Sequence, residues 1–258
     1  LTNYSEQPLH GRTKLAYEWL PEATGNLLDA GCAWGYATSH FASKSRCTLG
    51  IDIDSESIRV ARLRYPDIEF FESPLEETPF KADLFDVVVM NDVLEHVGDE
   101  LGTLNEMFRI LRPGGIVILT VPHRGLFSFL DKANYGYYVR KHLPGLYEPL
   151  LWLRMAGKGQ IGIGGAGECV KHRHYSLEGL VGLLRETHFS GRFEIVKVFR
   201  SGLFAGALIS NLEFLITFLL GKRRGGVLMK PFHVLAGVDF CIPFGIFSYN
   251  IAVKLIKK

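Results

Sequence analysis

Leu27-Leu28-Asp29-Ala30-Gly31-Cys32-Ala33-Trp34-Gly35-Tyr36 is the stretch on which the reading of this chain turns. Asn26–Ala30 reads as a strand and Ala37–Ser43 as part of a helix, so the glycines fall on the turn between them. Glycine at such a turn lets a ligand approach the backbone closely, and the start of the helix offers free amides. Seventeen residues after Gly35 a second strand, Thr48–Asp52, ends in Gly50-Ile51-Asp52. A carboxylate in that position can accept hydrogen bonds from a ribose diol. The pattern implies a nucleoside-containing cofactor, with a tight turn and a strand-end acid as the plainer alternative. There is no GxGxxG, which weighs against a dinucleotide.

Outward from this stretch, short β-rich runs alternate with helical patterns from residue 12 to about 121, as in successive βα units on a parallel sheet. Arg12–Leu20 reads as a helix closed by Pro21, and Ser55–Arg64 as a helix capped by Asp54 or Ser55. Ile68–Glu72 is a strand. Phe85–Asn91, with Val87-Val88-Val89-Met90, is a strand buried on both faces. Leu101–Leu111 reads as a helix ended by Arg112-Pro113-Gly114-Gly115, with Ile116–Val121 as the strand that follows.

The 258 residues are 47% hydrophobic and 12% aromatic, which permits a sizeable core and excludes a disordered or collagen-like chain. A net charge of +2 argues against a nucleic-acid partner. Charge is uneven, however: residues 222–258 carry Lys222, Arg223, Arg224, Lys230, Lys254, Lys257 and Lys258 against the lone acid Asp239. Cys32, Cys47, Cys169 and Cys241 are scattered without CxxC or zinc-like spacing, and Leu1–Gly11 is polar. The expectation is therefore a reduced, cytoplasmic setting.

Further motifs follow in order: Pro79-Phe80, Phe85-Asp86-Val87-Val88-Val89, Val93-Leu94-Glu95-His96-Val97 and Leu111-Arg112-Pro113-Gly114-Gly115. With Asp29-x-Gly31 and Gly50-Ile51-Asp52, this series resembles the class I S-adenosyl-L-methionine (AdoMet)-dependent methyltransferases, especially the broad group of ubiquinone-biosynthesis and glycan methyltransferases. The resemblance is close over residues 25–122 and looser over 173–200. It implies an α/β fold: a Rossmann-like, seven-stranded, mostly parallel sheet in the order 3-2-1-4-5-7-6, strand seven antiparallel, with helices on both faces. It also implies AdoMet as the cofactor. Asp29, Gly31, Ala33 and Gly35 would form the loop under its methionine part, Asp52 would hold the ribose, Ile53 would pack on adenine and Asn91 would lie near the methionyl amino group. Two positions depart from the family pattern. Ala33 replaces a usual glycine, and Glu72-Ser73-Pro74-Leu75-Glu76 lacks a clean match to the acid expected beside adenine, leaving that contact to the backbone around Leu75.

Methyl transfer from a sulfonium is mainly in-line positioning, but a hydroxyl acceptor also needs a base. His123, just after strand five, ranks first, His174 second and His96 third; for each of them a structural role, in capping or hydrogen bonding, is the plainer reading. His172 and Tyr175 stand beside His174 where the chain returns to the sheet. On a helix, Asp92 would share a face with Glu95 and His96, an acid-acid-His set of the kind that binds a divalent ion in some ubiquinone-type O-methyltransferases. Leu-Glu-His-Val is widespread in relatives that use no metal, and none is expected here.

The domain reading is a core over residues 1–121, completed by 173–200 and 248–258, with two insertions. The first, 122–172, is a substrate lid whose glycine-rich Gly157–Gly167 would act as a flexible gate. The second, 201–247, has apolar runs Leu203–Leu220 and Pro231–Phe247 around a basic turn, Lys222-Arg223-Arg224. Three fates compete for it: a transmembrane helix, a hydrophobic helical cap packed within the fold or a dimer, or docking on a membrane surface with the basic residues on anionic headgroups. Either of the last two suits an apolar or lipid-linked acceptor. The expected function is O-methylation of a lipid, isoprenoid quinone or lipid-linked glycan, by a protein that is cytoplasmic or peripheral at the inner membrane face. A soluble small-molecule methyltransferase and a catalytically silent scaffold of the same fold are the alternatives. Oligomeric state is left open.

Overall fold

The computed structural model describes residues 8–131, 133–145 and 172–258. Gly157–Gly167 lies outside the described residues. The chain divides into two compact units, Leu1–His123 with Tyr175–Arg200 and Asn250–Lys258, and Arg124–His174 with Ser201–Tyr249.

The first unit is built on strands β1 (Thr24–Ala30), β2 (Ser45–Asp52), β3 (Glu69–Glu72), β4 (Phe85–Asn91), β5 (Leu111–Pro122), β6 (Phe193–Ser201) and β7 (Asn250–Lys257). Their order is β3-β2-β1-β4-β5-β7-β6. β1 pairs in parallel with β2 and β4, β4 with β5, and β7 runs antiparallel to β5. The sheet is the expected Rossmann-like one.

Its central strands read as continuous apolar runs because both faces are covered. Leu28, Val88, Met90, Val117, Leu119 and Val253 pack on one side with Leu104, Met107 and Phe108 of the helix Glu100–Ile110 and Leu180 and Leu184 of the helix Leu177–Glu186. Leu27, Val87, Val89, Ile118 and Ala252 point the other way, onto Ala16 and Trp19 of the helix Gly11–Trp19 and Phe41 of the helix Tyr36–Phe41. Neighbours in sequence thus serve opposite faces, as the two-residue period of a strand requires.

Two local expectations are corrected. Arg112-Pro113-Gly114-Gly115 does not separate helix from strand but lies inside β5. Phe85 pairs with Leu111 and Val87 with Ile116, so β5 advances five residues while β4 advances two. The four breaker residues make a bulge, with Gly114 at φ +76°. Lys257 Nζ closes it, donating to Phe108 O at 2.8 Å and to Leu111 O at 2.5 Å. The second correction concerns Asp92–His96, which is not helical but a turn opened by Asp92 at φ +61°. Asp92 is held instead by Arg12 Nε at 2.8 Å, and so does not join Glu95 and His96 as a metal set.

In the second unit, helical backbone covers Ala133–His142 and Ala205–Cys241. A straight helix of the latter length would stretch about 55 Å at ~1.5 Å per residue. It does not run straight: Glu213 Oε1 lies 3.5 Å from His233 Nε2, and Asp239 Oδ2 accepts the amides of Leu203 and Ala205 at 3.1 and 3.2 Å. Ala205, Ile209 and Met229 bury one another with Leu212, Ile216 and Ala236. The segment is a helical hairpin that reverses between Ile216 and Met229, the interval containing Lys222-Arg223-Arg224. Among the described residues, no helix is long and apolar enough to cross a membrane.

Candidate cofactor and active site

The turn after β1 is shaped by three residues with left-handed backbone: Gly31 at φ +81°, Ala33 at φ +45° and Gly35 at φ +77°. A Cβ on Gly31 would run into the side chain of Val93, so this glycine is demanded twice, by conformation and by space. Gly31 and Cys32 both donate to Ile51 O, at 2.8 and 3.0 Å, which ties the loop to the end of β2. Ala33 takes the left-handed conformation that a glycine would hold without strain.

Asp52 completes the loop. Its Oδ2 accepts the Ala33 amide at 2.8 Å and its Oδ1 the Asp54 amide at 3.0 Å. The carboxylate is held by backbone at the carboxyl end of β2 and is half-buried. Beside it in the chain, Ile53 is 71% exposed, and Trp34 of the loop is 55% exposed. Large apolar side chains left uncovered next to an oriented carboxylate fit a nucleoside, whose base covers apolar surface while its diol bonds the acid.

Asp29 sits at the bottom of the loop, buried, accepting from Thr38 Oγ1 at 2.6 Å. Burial pushes its carboxyl up to about 7; the Thr38 bond opposes that rise and the nearby Asp52 adds to it. Burial also pushes the Cys32 thiol up, helped by the charges of Asp29 and Asp52, so that it stays protonated. The sequence carried no mark of Thr38. The only hint is its place in the first turn of the helix after the loop.

Asn91, at the end of β4, donates through Nδ2 to Thr13 Oγ1 at 3.2 Å and accepts from Thr120 Oγ1 at 2.9 Å. Leu75 is buried and belongs to the core, so the backbone of its segment is what a ligand could reach. His123 is 3% exposed and follows β5 directly. It forms a parallel bridge with Tyr175, whose amide donates to Pro122 O at 3.0 Å. Tyr175 also bonds Leu94 O at 3.1 Å and the Glu100 carboxylate. His96 is exposed, while Glu95 beside it is buried. His174 belongs to the second unit, with Asp131 and His172. The structure thus brings Asp29, Gly31, Ala33, Gly35 and Asp52 to one place at the carboxyl ends of β1 and β2. His96 and His123 follow other strands of the same unit.

Residues 28–119 match the sequence profile of a methyltransferase domain family. A probable S-adenosylmethionine-dependent methyltransferase of Mycolicibacterium smegmatis is 35% identical over 119 residues, which are 45% of this chain and 46% of that protein. A ubiquinone biosynthesis O-methyltransferase of Leptothrix cholodnii is 31% identical over 163 residues, 57% of this chain and 68% of that one. The chain spans somewhat under half the length of the first mycobacterial relatives it matches. Among solved structures, MccD protein aligns with a TM-score of 0.57 at 15% identity, covering 95% of this chain and 97% of its own, a likeness of fold alone.

Proposed function

Since the chain belongs to the class I S-adenosylmethionine-dependent methyltransferases, we propose that it methylates a hydroxyl on a lipid, isoprenoid quinone or lipid-linked glycan at the membrane surface. The family's cofactor is S-adenosyl-L-methionine, which supplies a methyl group already activated on a sulfonium. The observation carrying the methyl-transfer reading is the loop at the ends of β1 and β2, with Asp52 oriented by two backbone amides beside exposed Ile53 and Trp34. On this reading Asp52 holds the ribose diol, Ile53 lies on the adenine with the backbone near Leu75, and Asn91 stands by the amino group. Asp29, Gly31, Ala33 and Gly35 shape the floor of the loop.

The apolar acceptor and the membrane surface rest on the second unit. Leu228, Val234, Leu235, Val238, Ile246 and Phe247 are each half or more exposed there. An apolar hairpin with a basic reversal suits a lipid–water interface. His123 is the first candidate for the base that takes the hydroxyl proton. Incubating membrane lipid extracts with the protein and methyl-labelled AdoMet, then following label by mass spectrometry, tests the proposal. One or more O-methylated lipids should carry the label. Label appearing only in water-soluble acceptors would replace the reading by a soluble small-molecule enzyme, and failure of AdoMet to bind in calorimetry would point to a silent scaffold.

A further inference from the structure

Within the second unit, three metal-ligating side chains converge that the cofactor loop does not use. Asp131, His172 and His174 each offer an atom within 4.8 Å of the others. His172 Nδ1 lies 2.5 Å from Asp131 Oδ2, and His174 Nε2 lies 3.1 Å from the same oxygen. The carboxylate is 7% exposed, and the two imidazoles 13% and 11%. Among the described residues, the buried Nε2 of His174 has no hydrogen-bond partner, although it lies against this carboxylate. A buried imidazole nitrogen in that state costs free energy unless something else takes its lone pair or proton.

The surroundings hold these ligands in place. Asn134, itself 3% exposed, grips the backbone of His172 from both sides: its Oδ1 accepts the His172 amide at 2.8 Å and its Nδ2 donates to His172 O at 3.0 Å. Asn134 N in turn donates to Asp131 O at 3.1 Å. One short hydrogen-bond circuit therefore couples the carboxylate's segment to the histidines' segment, although 41 residues separate Asp131 from His172. The His174 ring lies beside that of Tyr249, tilted to it, with centroids 6.5 Å apart.

We propose that Asp131, His172 and His174 bind a divalent first-row transition ion, zinc in the first instance. Ligand atoms about 2.0–2.1 Å from zinc in a tetrahedron stand roughly 3.3 Å from one another. The 3.1 Å pair already meets that spacing, and the 2.5 Å pair needs to open by less than an ångström. Two imidazoles and one carboxylate select zinc, iron, cobalt or nickel over magnesium or calcium, which prefer all-oxygen sites. Three protein ligands leave a position open for water or an oxygen of a bound molecule. This set is distinct from Asp92-Glu95-His96, whose first acid is bound to Arg12. It makes His174 a ligand rather than a base.

The test uses the whole chain, stripped with chelator and titrated with Zn2+ against a chromophoric competitor, and with Co2+ as a spectroscopic probe. One ion per chain should bind in the micromolar range or tighter, with a visible cobalt ligand-field spectrum, while Mg2+ does not compete. Zinc X-ray absorption on the wild type should show scattering from two imidazoles and no sulfur. Asp131→Asn and His174→Gln should each weaken Zn2+ by 100-fold or more, with His188→Gln as the unaffected control. Absence of stoichiometric binding, sulfur in the zinc shell, or equal affinity in the folded variants would overturn the site. Calorimetry with AdoMet, run in parallel, separates this outcome from the function: AdoMet binding without zinc sinks only the metal site, and zinc binding without AdoMet sinks only the methyl-transfer reading.

Discussion

Thr38 Oγ1 donates a 2.6 Å hydrogen bond to Asp29 Oδ2 where both side chains are buried. Burial is what raises the carboxyl to about 7, and the threonine bond restrains the rise. Replacing Thr38 by Val removes the restraint, so the Asp29 titration should move further up. Carbon-13 NMR of the carboxyl across pH 5–9 reads this directly; a midpoint that stays in place or falls would show that Thr38 does not stabilise the ionised form.

The same carboxyl gives stability a pH dependence of known sign. Its folded pKa lies above the unfolded value, so the folded state holds the proton more tightly. That contribution is fully present below about pH 4 and is lost as pH rises through about 7. Asp29→Asn cannot ionise and should gain on the wild type across this window, by an amount on the order of a few kcal/mol. Thermal melts of both proteins between pH 4 and 8 provide the comparison, and parallel curves would contradict it.

At the position proposed for the ribose, Asp52→Ala deletes the acceptor of two backbone amides as well as the acid proposed to hold the diol. AdoMet binding should weaken by roughly 1.5–3 kcal/mol, read by calorimetry. Unchanged affinity would move the adenosine elsewhere.

Gly31 and Ala33 should respond in opposite directions. Gly31→Ala places a methyl against Val93 on a backbone at φ +81°, and should destabilise the fold by roughly 2 kcal/mol or more. Adding Val93→Ala should restore only the steric part. Ala33→Gly relieves a left-handed alanine and should be neutral or stabilising by up to about 1 kcal/mol. Urea unfolding of the four proteins decides.

His123→Ala tests the proposed base: turnover should fall roughly 10²-fold or more, with AdoMet affinity close to wild type. Full activity in the variant would remove His123 from the chemistry.

What the chain disclosed in advance is what neighbours in sequence determine. The two-residue period of Leu27-Leu28 and Val87-Val88-Val89-Met90, the glycines of the loop and the Asp54 cap, which accepts the Ser57 amide at 2.9 Å, are all local signals. The features that escaped join distant residues. Arg12 takes Asp92 out of any metal set, and Lys257 reaches carbonyls at Phe108 and Leu111 to stabilise a bulge that looked like a break. Asp131 meets His172 and His174 only after the chain has left the sheet and come back. No periodicity records such meetings, because they depend on where separate elements end.

The helical hairpin begins and finishes at a common point. Gly202 N bonds Ile242 O, Ser201 bridges Pro243, and Asp239 clasps the amides of Leu203 and Ala205. Such a segment behaves as a cassette: its two ends need only a short splice to be rejoined. Grafts that exchange residues 204–241 between relatives can therefore reassign whatever the hairpin contacts while the strands on either side keep their pairing.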